Sequence, residues 1–221
     1  MLRRYSYALT AGVLSLGAPD LLGVRLARSV LFAAFGYILG RQTDEFAELS
    51  QTDPLTRLLN ARGFAGRLNA EIKRSRRYRE PLSLLFLDVD GLKNINDRHG
   101  HRAGSEVLRE VAGVIRTQLR ETDTGARWGG DEFTVIAPNT SKDAATRFAE
   151  RIRARVAEHA GDWPITASIG VATLDDDEPA DAVALMRASD DAMYEAKRRG
   201  KNAVVAANTN GAAEAAPLCL A

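Results

Sequence analysis

The chain has 221 residues, a formal net charge of +1 and a single cysteine, Cys219. Its length suits one folded domain with a short extension. The near-zero charge gives no reason to expect nucleic-acid binding, and one cysteine forms neither an internal disulfide nor a cysteine metal cluster.

Residues 1–41 contain a single acid, Asp20. Tyr7 to Val24 is mostly apolar but interrupted by Pro19-Asp20. Ser29 to Gly40 is apolar and follows Arg25 and Arg28. Each stretch is near or short of the ~20 residues that a membrane helix needs. Two short spans would place Arg3-Arg4 and Arg41 on one side, as the positive-inside rule asks. Arg25 and Arg28 would then snorkel or sit in the connecting loop. The expectation is a membrane anchor; the alternative is a soluble or in-plane helical extension. Residues 42–51 are polar, with Phe46 and Leu49 one turn apart, and predict a linking helix that can pair with a second copy.

Pro81 to Asp90 predicts a strand. Leu82-Ser83-Leu84-Leu85-Phe86-Leu87 is nearly all apolar, as in a buried central strand, and Asp88-Val89-Asp90-Gly91 follows. Carboxylates at the end of a core strand are costly unless paired or bound to metal. The alternative is an acidic turn capping the next helix. Gly104 to Leu119 predicts a helix, with Val107, Leu108, Val111, Val114, Ile115 and Leu119 on one side.

Ala126 to Ala137 predicts a hairpin carrying Arg127-Trp128-Gly129-Gly130-Asp131-Glu132-Phe133. Paired glycines permit a tight turn and close approach by a ligand. A surface hairpin rarely needs two adjacent acids, although a plain β-turn is the structural alternative. On adjacent strands, Asp88 and Asp131 would suit one or two Mg²⁺ ions. A helix is expected over Ser141 to Ala160, with Ser141 as N-cap, and a strand over Pro164 to Thr173. A helix over Ala182 to Arg199 ends at Gly200, which suits a C-cap, and Asn202 to Ala206 predicts a last short strand. Residues 207–221 are rich in Ala, Asn and Gly and read as a disordered tail. Strands alternating with helices indicate α/β or α+β, with sheet order left open.

Several separated motifs together resemble the GGDEF-domain dinucleotide cyclases of the diguanylate cyclase family. They are Thr52-Asp53-Pro54-Leu55-Thr56-Arg57-Leu58-Leu59-Asn60, Asp88 to Asp97, Arg127 to Phe133, Ser168 to Ala172, and Tyr194 to Asn202. The resemblance implies a catalytic domain over residues 52–206, with a mixed, mainly antiparallel sheet flanked by helices, like the palm of nucleotide cyclases. It implies attack of a ribose 3′-hydroxyl on the α-phosphate of a second nucleoside triphosphate. Pyrophosphate leaves, and two such steps close a cyclic dinucleotide.

By motif match, Asp88, Asp131 and the Val89 carbonyl would hold Mg²⁺ or Mn²⁺. Glu132 would ligate the ion or help deprotonate the hydroxyl. Lys93 would reach phosphate, and Gly129 and Gly130 would leave room for the nucleotide. Lys197 and Lys201 resemble the triphosphate-contacting pair; the family commonly has arginine where Lys201 stands, so bidentate contact is lost there. Each protomer of the family binds one nucleotide, so activity implies a homodimer. Arg120-Glu121-Thr122-Asp123 resembles the family's RxxD inhibitory site, where Arg120 would meet the cyclic dinucleotide product and Asp123 would accept from guanine. Cytoplasmic substrates favour a catalytic domain on the cytoplasmic side of the inner membrane over a secreted protein.

One position departs from the family. Guanine is usually recognised by an asparagine and, nine residues on, an aspartate; here they are Asn96 and Ser105. A carboxylate accepts both guanine donors and repels adenine N1, whereas a hydroxyl both donates and accepts. The change is expected to cost roughly 1–3 kcal/mol of guanine preference. It resembles the Hypr subgroup, which makes 3′,3′-cyclic GMP-AMP as well as cyclic di-GMP, so both GTP and ATP are candidate substrates. The alternatives are a strict diguanylate cyclase and a non-catalytic cyclic-dinucleotide receptor. His99 and His101 suit a zinc pair by type but lack a third ligand, so loop packing or nucleotide contact is preferred. Trp128 is expected to pack.

Overall fold

Leu82–Asp90 forms strand β1, buried along its whole length. The computed structural model describes residues 50–159, 163–174 and 181–207. The expectations for residues 1–49, a membrane anchor and most of a linking helix, lie outside the described residues, as does the tail from residue 208. Among the described residues, no helix is long and apolar enough to cross a membrane.

Four helices and five strands are described. They are α1 (Ala61–Tyr78), β1, α2 (Leu92–Gln118), β2 (Thr124–Arg127), β3 (Glu132–Pro138), α3 (Lys142–His159), β4 (Thr166–Leu174), α4 (Ala182–Arg198) and β5 (Val204–Ala206). Strand β1 is central because it pairs antiparallel on both edges, with β3 and with β4. The sheet order is β2-β3-β1-β4-β5, and only the β4–β5 pair is parallel. The mixed, mainly antiparallel sheet matches the expectation.

Period-two alternation divides the core into two layers. Leu82 and Leu84 face Phe64, Leu68 and Ile72 of α1 and Leu185 of α4. Leu85, Leu87 and Val89 face the apolar stripe of α2, from Val107 to Ile115, and Phe148 and Ile152 of α3. Two helices thus cover each face of the sheet.

The predicted strands and hairpin are present, with bounds shifted by no more than a few residues. Three differences matter. Helix α1 was not anticipated. Its apolar residues, Phe64, Leu68 and Ile72, recur every four residues but stand among arginines, and Asn60 caps it by accepting from the Gly63 amide at 2.9 Å. Helix α2 begins at Leu92, well before the expected Gly104, and kinks at Gly100, whose φ of +82° favours glycine. The added turns are mostly polar and bury only Leu92, Ile95 and the small Ala103, so they carry little periodic signal. Ser50 and Gln51 are not helical, which corrects the end of the expected linking helix. The Gln51 carbonyl accepts from the Asn60 amide at 2.9 Å, and Thr52 bridges Leu59, drawing these residues into the domain.

Candidate active site

The register of the central strands brings two acidic segments together. Asp88 of β1 stands opposite Glu132 of β3. The Val89 amide donates to the Asp131 carbonyl at 3.1 Å. Residues separated widely in sequence thus meet at one end of the sheet, as expected for Asp88 and Asp131.

Asp88 and Asp90 are 7% and 6% exposed and share a strand face, but their partners differ. Asp90 is saturated: Oδ1 accepts from Ser168 Oγ at 2.9 Å, and Oδ2 accepts from Thr166 Oγ1 at 2.8 Å and the Asn202 amide at 3.1 Å. Asp88 Oδ2 instead meets Lys197 Nζ at 2.7 Å. Burial raises the Asp88 pKa; Lys197 opposes the rise, while Asp131 and Asp90 add to it. Glu132 is also raised, first by burial and then by Asp88, Asp190 and Asp131. Asp190, on α4, is raised by burial and by Asp191, with Lys197 again opposing. Sequence reasoning passed over Asp190, because an acid on a helix reads as solvated until the fold places it by this cluster.

These groups fit a hard divalent cation in kind. Two facing carboxylates repel each other and lie beside a backbone carbonyl, and Mg²⁺ commonly uses one or two carboxylates with phosphate and water completing its shell. Among the described residues, no three His, Cys, Asp or Glu side chains stand together as a ready metal cage.

An open cavity of about 520 Å³ adjoins this end, lined by Lys93, Asn96, Ser105, Arg127, Gly130 and Asp131, with Leu55, Leu92 and Leu108 among its apolar residues. Five of the residues assigned to nucleotide or metal from the sequence, Lys93, Asn96, Ser105, Gly130 and Asp131, therefore line one cavity. Asp88, Val89, Glu132 and Lys197 cluster beside it at the strand ends, and Lys201 does not line it. A Cβ at Gly104 would overlap Asn96 Oδ1, so the bare backbone gives that side chain its place. Ser105 Oγ donates to the His101 carbonyl at 2.9 Å. The two signature glycines differ: a Cβ at Gly129 would come within 2.7 Å of Glu132 Oε2, whereas one at Gly130 would meet open space. Only at Gly130 is the room free for a ligand.

Arg127 organises the turn. Its Nε donates to the Gly129 carbonyl at 3.1 Å, its Nη2 to the Gly130 carbonyl at 2.7 Å, and its Nη1 lies 3.3 Å from Asp53 Oδ2. Asp53 Oδ1 also accepts from the Thr56 amide and hydroxyl at 2.8 and 2.7 Å. Burial acts to raise Asp53, but the Thr56 hydrogen bonds and Arg127 outweigh it and leave the pKa lowered. The opening motif around Asp53 is thus a brace for the signature turn, a role not assigned to it from sequence.

Arg120 and Asp123 lie outside the cavity, on the turn between α2 and β2. Asp123 Oδ2 accepts from the Arg120 amide at 2.8 Å, while its Oδ1 is buried without a hydrogen-bond partner. The Arg120 side chain is exposed. His99 packs edge-on against Trp163 at 5.0 Å, and His101 lines the cavity. Trp128 packs against Phe64 and Phe86 at 5.6 and 6.4 Å, as expected.

The sequence model for the diguanylate cyclase GGDEF domain matches residues 50–203. The chain is 38% identical over 195 residues to the response regulator PleD of Caulobacter vibrioides, covering 85% of this chain and 42% of PleD. It is 42% identical over 156 residues to diguanylate cyclase DgcP of Pseudomonas aeruginosa, covering 68% of this chain and 23% of DgcP. The chain thus spans less than half the length of either relative. The crystal structure of the GGDEF domain of Caulobacter crescentus DgcB in complex with c-di-GMP is similar, with a TM-score of 0.67 and 32% identity over 72% of this chain and 94% of that one.

Proposed function

The chain belongs to the GGDEF diguanylate cyclase family, and from that premise we propose that it condenses two nucleoside triphosphates into a cyclic dinucleotide. Two GTP would give cyclic di-GMP; through Ser105, GTP and ATP would also give 3′,3′-cyclic GMP-AMP. The observation that carries the reading is the cavity where Lys93, Asn96, Ser105, Gly130 and Asp131 converge beside the Asp88–Glu132 pair.

In this reading Asn96 and Ser105 face the base, and Lys93 meets phosphate as a compact charge. Asp88, Asp131 and the Val89 carbonyl would hold Mg²⁺ or Mn²⁺, which when bound neutralises phosphate charge and lowers the pKa of the attacking hydroxyl. Glu132, with its raised pKa, is matched to accepting the 3′-hydroxyl proton. The rest is positioning, the main source of rate in phosphoryl transfer. Lys197 and Lys201 would meet the triphosphate. For Lys197 this requires release of Asp88 Oδ2, and its partly exposed side chain has room to move.

These side chains form one such cavity among the described residues, so both hydroxyl attacks would require two copies face to face, a homodimer at least while turning over. The apolar composition of residues 1–41 supports anchoring at the inner membrane with the domain on the cytoplasmic side. Arg120 and the unpartnered Asp123 Oδ1 support binding of product at a second, inhibitory site.

The test is incubation of the purified chain with Mg²⁺ and GTP, ATP or both, with products separated by chromatography. Cyclic dinucleotide and pyrophosphate are expected, and Asp131→Ala abolishes both. Binding of cyclic dinucleotide without turnover would overturn the enzyme reading in favour of a receptor.

A further inference from the structure

Helix α4 runs into an unusual turn. Gly200, Lys201 and Asn202 follow one another with φ of +111°, +66° and +46°. For lysine and asparagine this region costs free energy, and such residues persist only where the surroundings fix them. Two side chains do so. Asp90 accepts the Asn202 amide at 3.1 Å, and Arg153 Nη1 of α3 donates to Asn202 Oδ1 at 2.7 Å.

Asp90 is itself held rigid by the hydroxyls of Thr166 and Ser168 on β4. The carboxylate is buried and makes three hydrogen bonds, which removes it as a convenient metal ligand despite its place two residues from Asp88. The strained turn presents Lys201, an exposed residue whose ammonium makes no ion pair among the described residues. A turn clamped from two sides around one free cation suits a charge that must stay in place.

We infer that Asp90 and Arg153 are positioning residues, which clamp the Gly200–Asn202 turn so that Lys201 is held at the acidic strand end for the anionic triphosphate of the substrate. This rests on the cyclase reading. The strap acts through Lys201: it adds nothing of its own to the nucleotide, and its loss frees the lysine rather than removing it.

The experiment is a double-mutant cycle on the full chain, reading kcat, KM for GTP and affinity for a non-hydrolysable GTP analogue. Lys201→Ala and Asp90→Ala are each expected to raise KM roughly tenfold with kcat changed less than about threefold. Their combination is expected to be no worse than either alone. Asp90→Asn is expected to restore most of the affinity, because its amide oxygen can keep the Asn202 amide while the Ser168 hydroxyl turns to accept from the amide nitrogen. If Asp90→Ala does not fold, Arg153→Ala carries the test, with a smaller KM rise that disappears in the Lys201→Ala background. Losses that multiply, or KM unchanged in Arg153→Ala, overturn the inference. Failure of the unaltered chain to bind the analogue overturns the cyclase reading as well, and so is told apart from failure of the clamp alone.

Discussion

Lys197 Nζ lies 2.7 Å from Asp88 Oδ2 and so ties the last turn of α4 to the end of the central strand. Asp88, Glu132 and Asp190 all feel this one ammonium as the opposing influence on a raised pKa. Lys197 therefore serves as the counter-charge of an acidic cluster, and any group that engages it elsewhere must leave a replacement charge behind.

Replacing Lys197 by methionine is expected to destabilise the metal-free chain by about 1–3 kcal/mol near neutral pH, since it leaves buried Asp88 and its partly buried acidic neighbours uncompensated. Added Mg²⁺ should then raise the melting temperature more in the variant than in the unaltered chain. Equal shifts in the two would show that lysine and metal do not share Asp88.

The shifted acids also set a pH dependence. Asp88 and Glu132 are raised above their ordinary values of 3.8 and 4.5. The folded state therefore takes up their protons at higher pH than the unfolded chain, and their charged forms subtract from stability at neutral pH. Mild acidification should relieve that cost in the metal-free chain. Metal binding runs the other way, because the ligands must be deprotonated. Calorimetric Mg²⁺ titrations are expected to weaken on acidification, starting at a higher pH than ordinary carboxylates of 3.8 and 4.5 would require. An affinity that falls only where ordinary carboxylates protonate would contradict the raised values.

Much of this site was legible in the sequence, for identifiable reasons. Strand β1 announces itself by an apolar run broken only by Ser83, and the glycine–acid signature by residues too costly for a plain turn. What stayed hidden depends on distant partners. Asp88 and Asp90 look alike along the strand; they part only because Thr166, Ser168 and Asn202 arrive from 76, 78 and 112 residues away. Asp190 becomes notable only once α4 lies against β4 and β1. Helix α1 has a three-residue apolar stripe diluted by arginines, and its clearest local signal is the Asn60 cap.

The brace on the signature turn gives a third expectation. Arg127 reaches the Gly129 and Gly130 carbonyls and Asp53 with one planar group, and lysine cannot match that fork. Arg127→Lys is expected to lower kcat roughly 10–100-fold through a misplaced Asp131. Asp53→Asn should cost about 1 kcal/mol of stability. Because the Asp53 pKa is lowered, its contribution is present above the ordinary value of 3.8 and fades as pH falls through the depressed one. The variant should therefore lose part of its acid sensitivity, read from melts on the acid side.

At the proposed product site, the turn from Arg120 to Asp123 leaves Asp123 Oδ1 buried without a partner. A guanine N–H would satisfy it once the turn exposes that oxygen. Arg120→Ala is expected to shift the product-inhibition curve at least about tenfold to higher cyclic di-GMP, since charge-assisted contacts are lost. An unchanged curve would remove this turn from product binding.

In the proposed cyclase reading, nucleotide choice turns on Ser105. Its hydroxyl donates to the His101 carbonyl one helical turn back at 2.9 Å, a bond that rotation of the hydroxyl exchanges for one to a base. Turned toward the cavity, it accepts from the guanine N1–H or N2 donors or donates to adenine N1, as a group that both donates and accepts. An aspartate there would hold two acceptors toward the base, matching both guanine donors and repelling adenine N1. With GTP and ATP in equal amounts, the unaltered chain is expected to yield the mixed dinucleotide beside cyclic di-GMP. Ser105→Asp should remove the mixed product and raise GTP preference roughly 10–100-fold. Cyclic di-GMP as sole product of the unaltered chain would place its specificity elsewhere in the cavity, with Asn96 the first residue to examine.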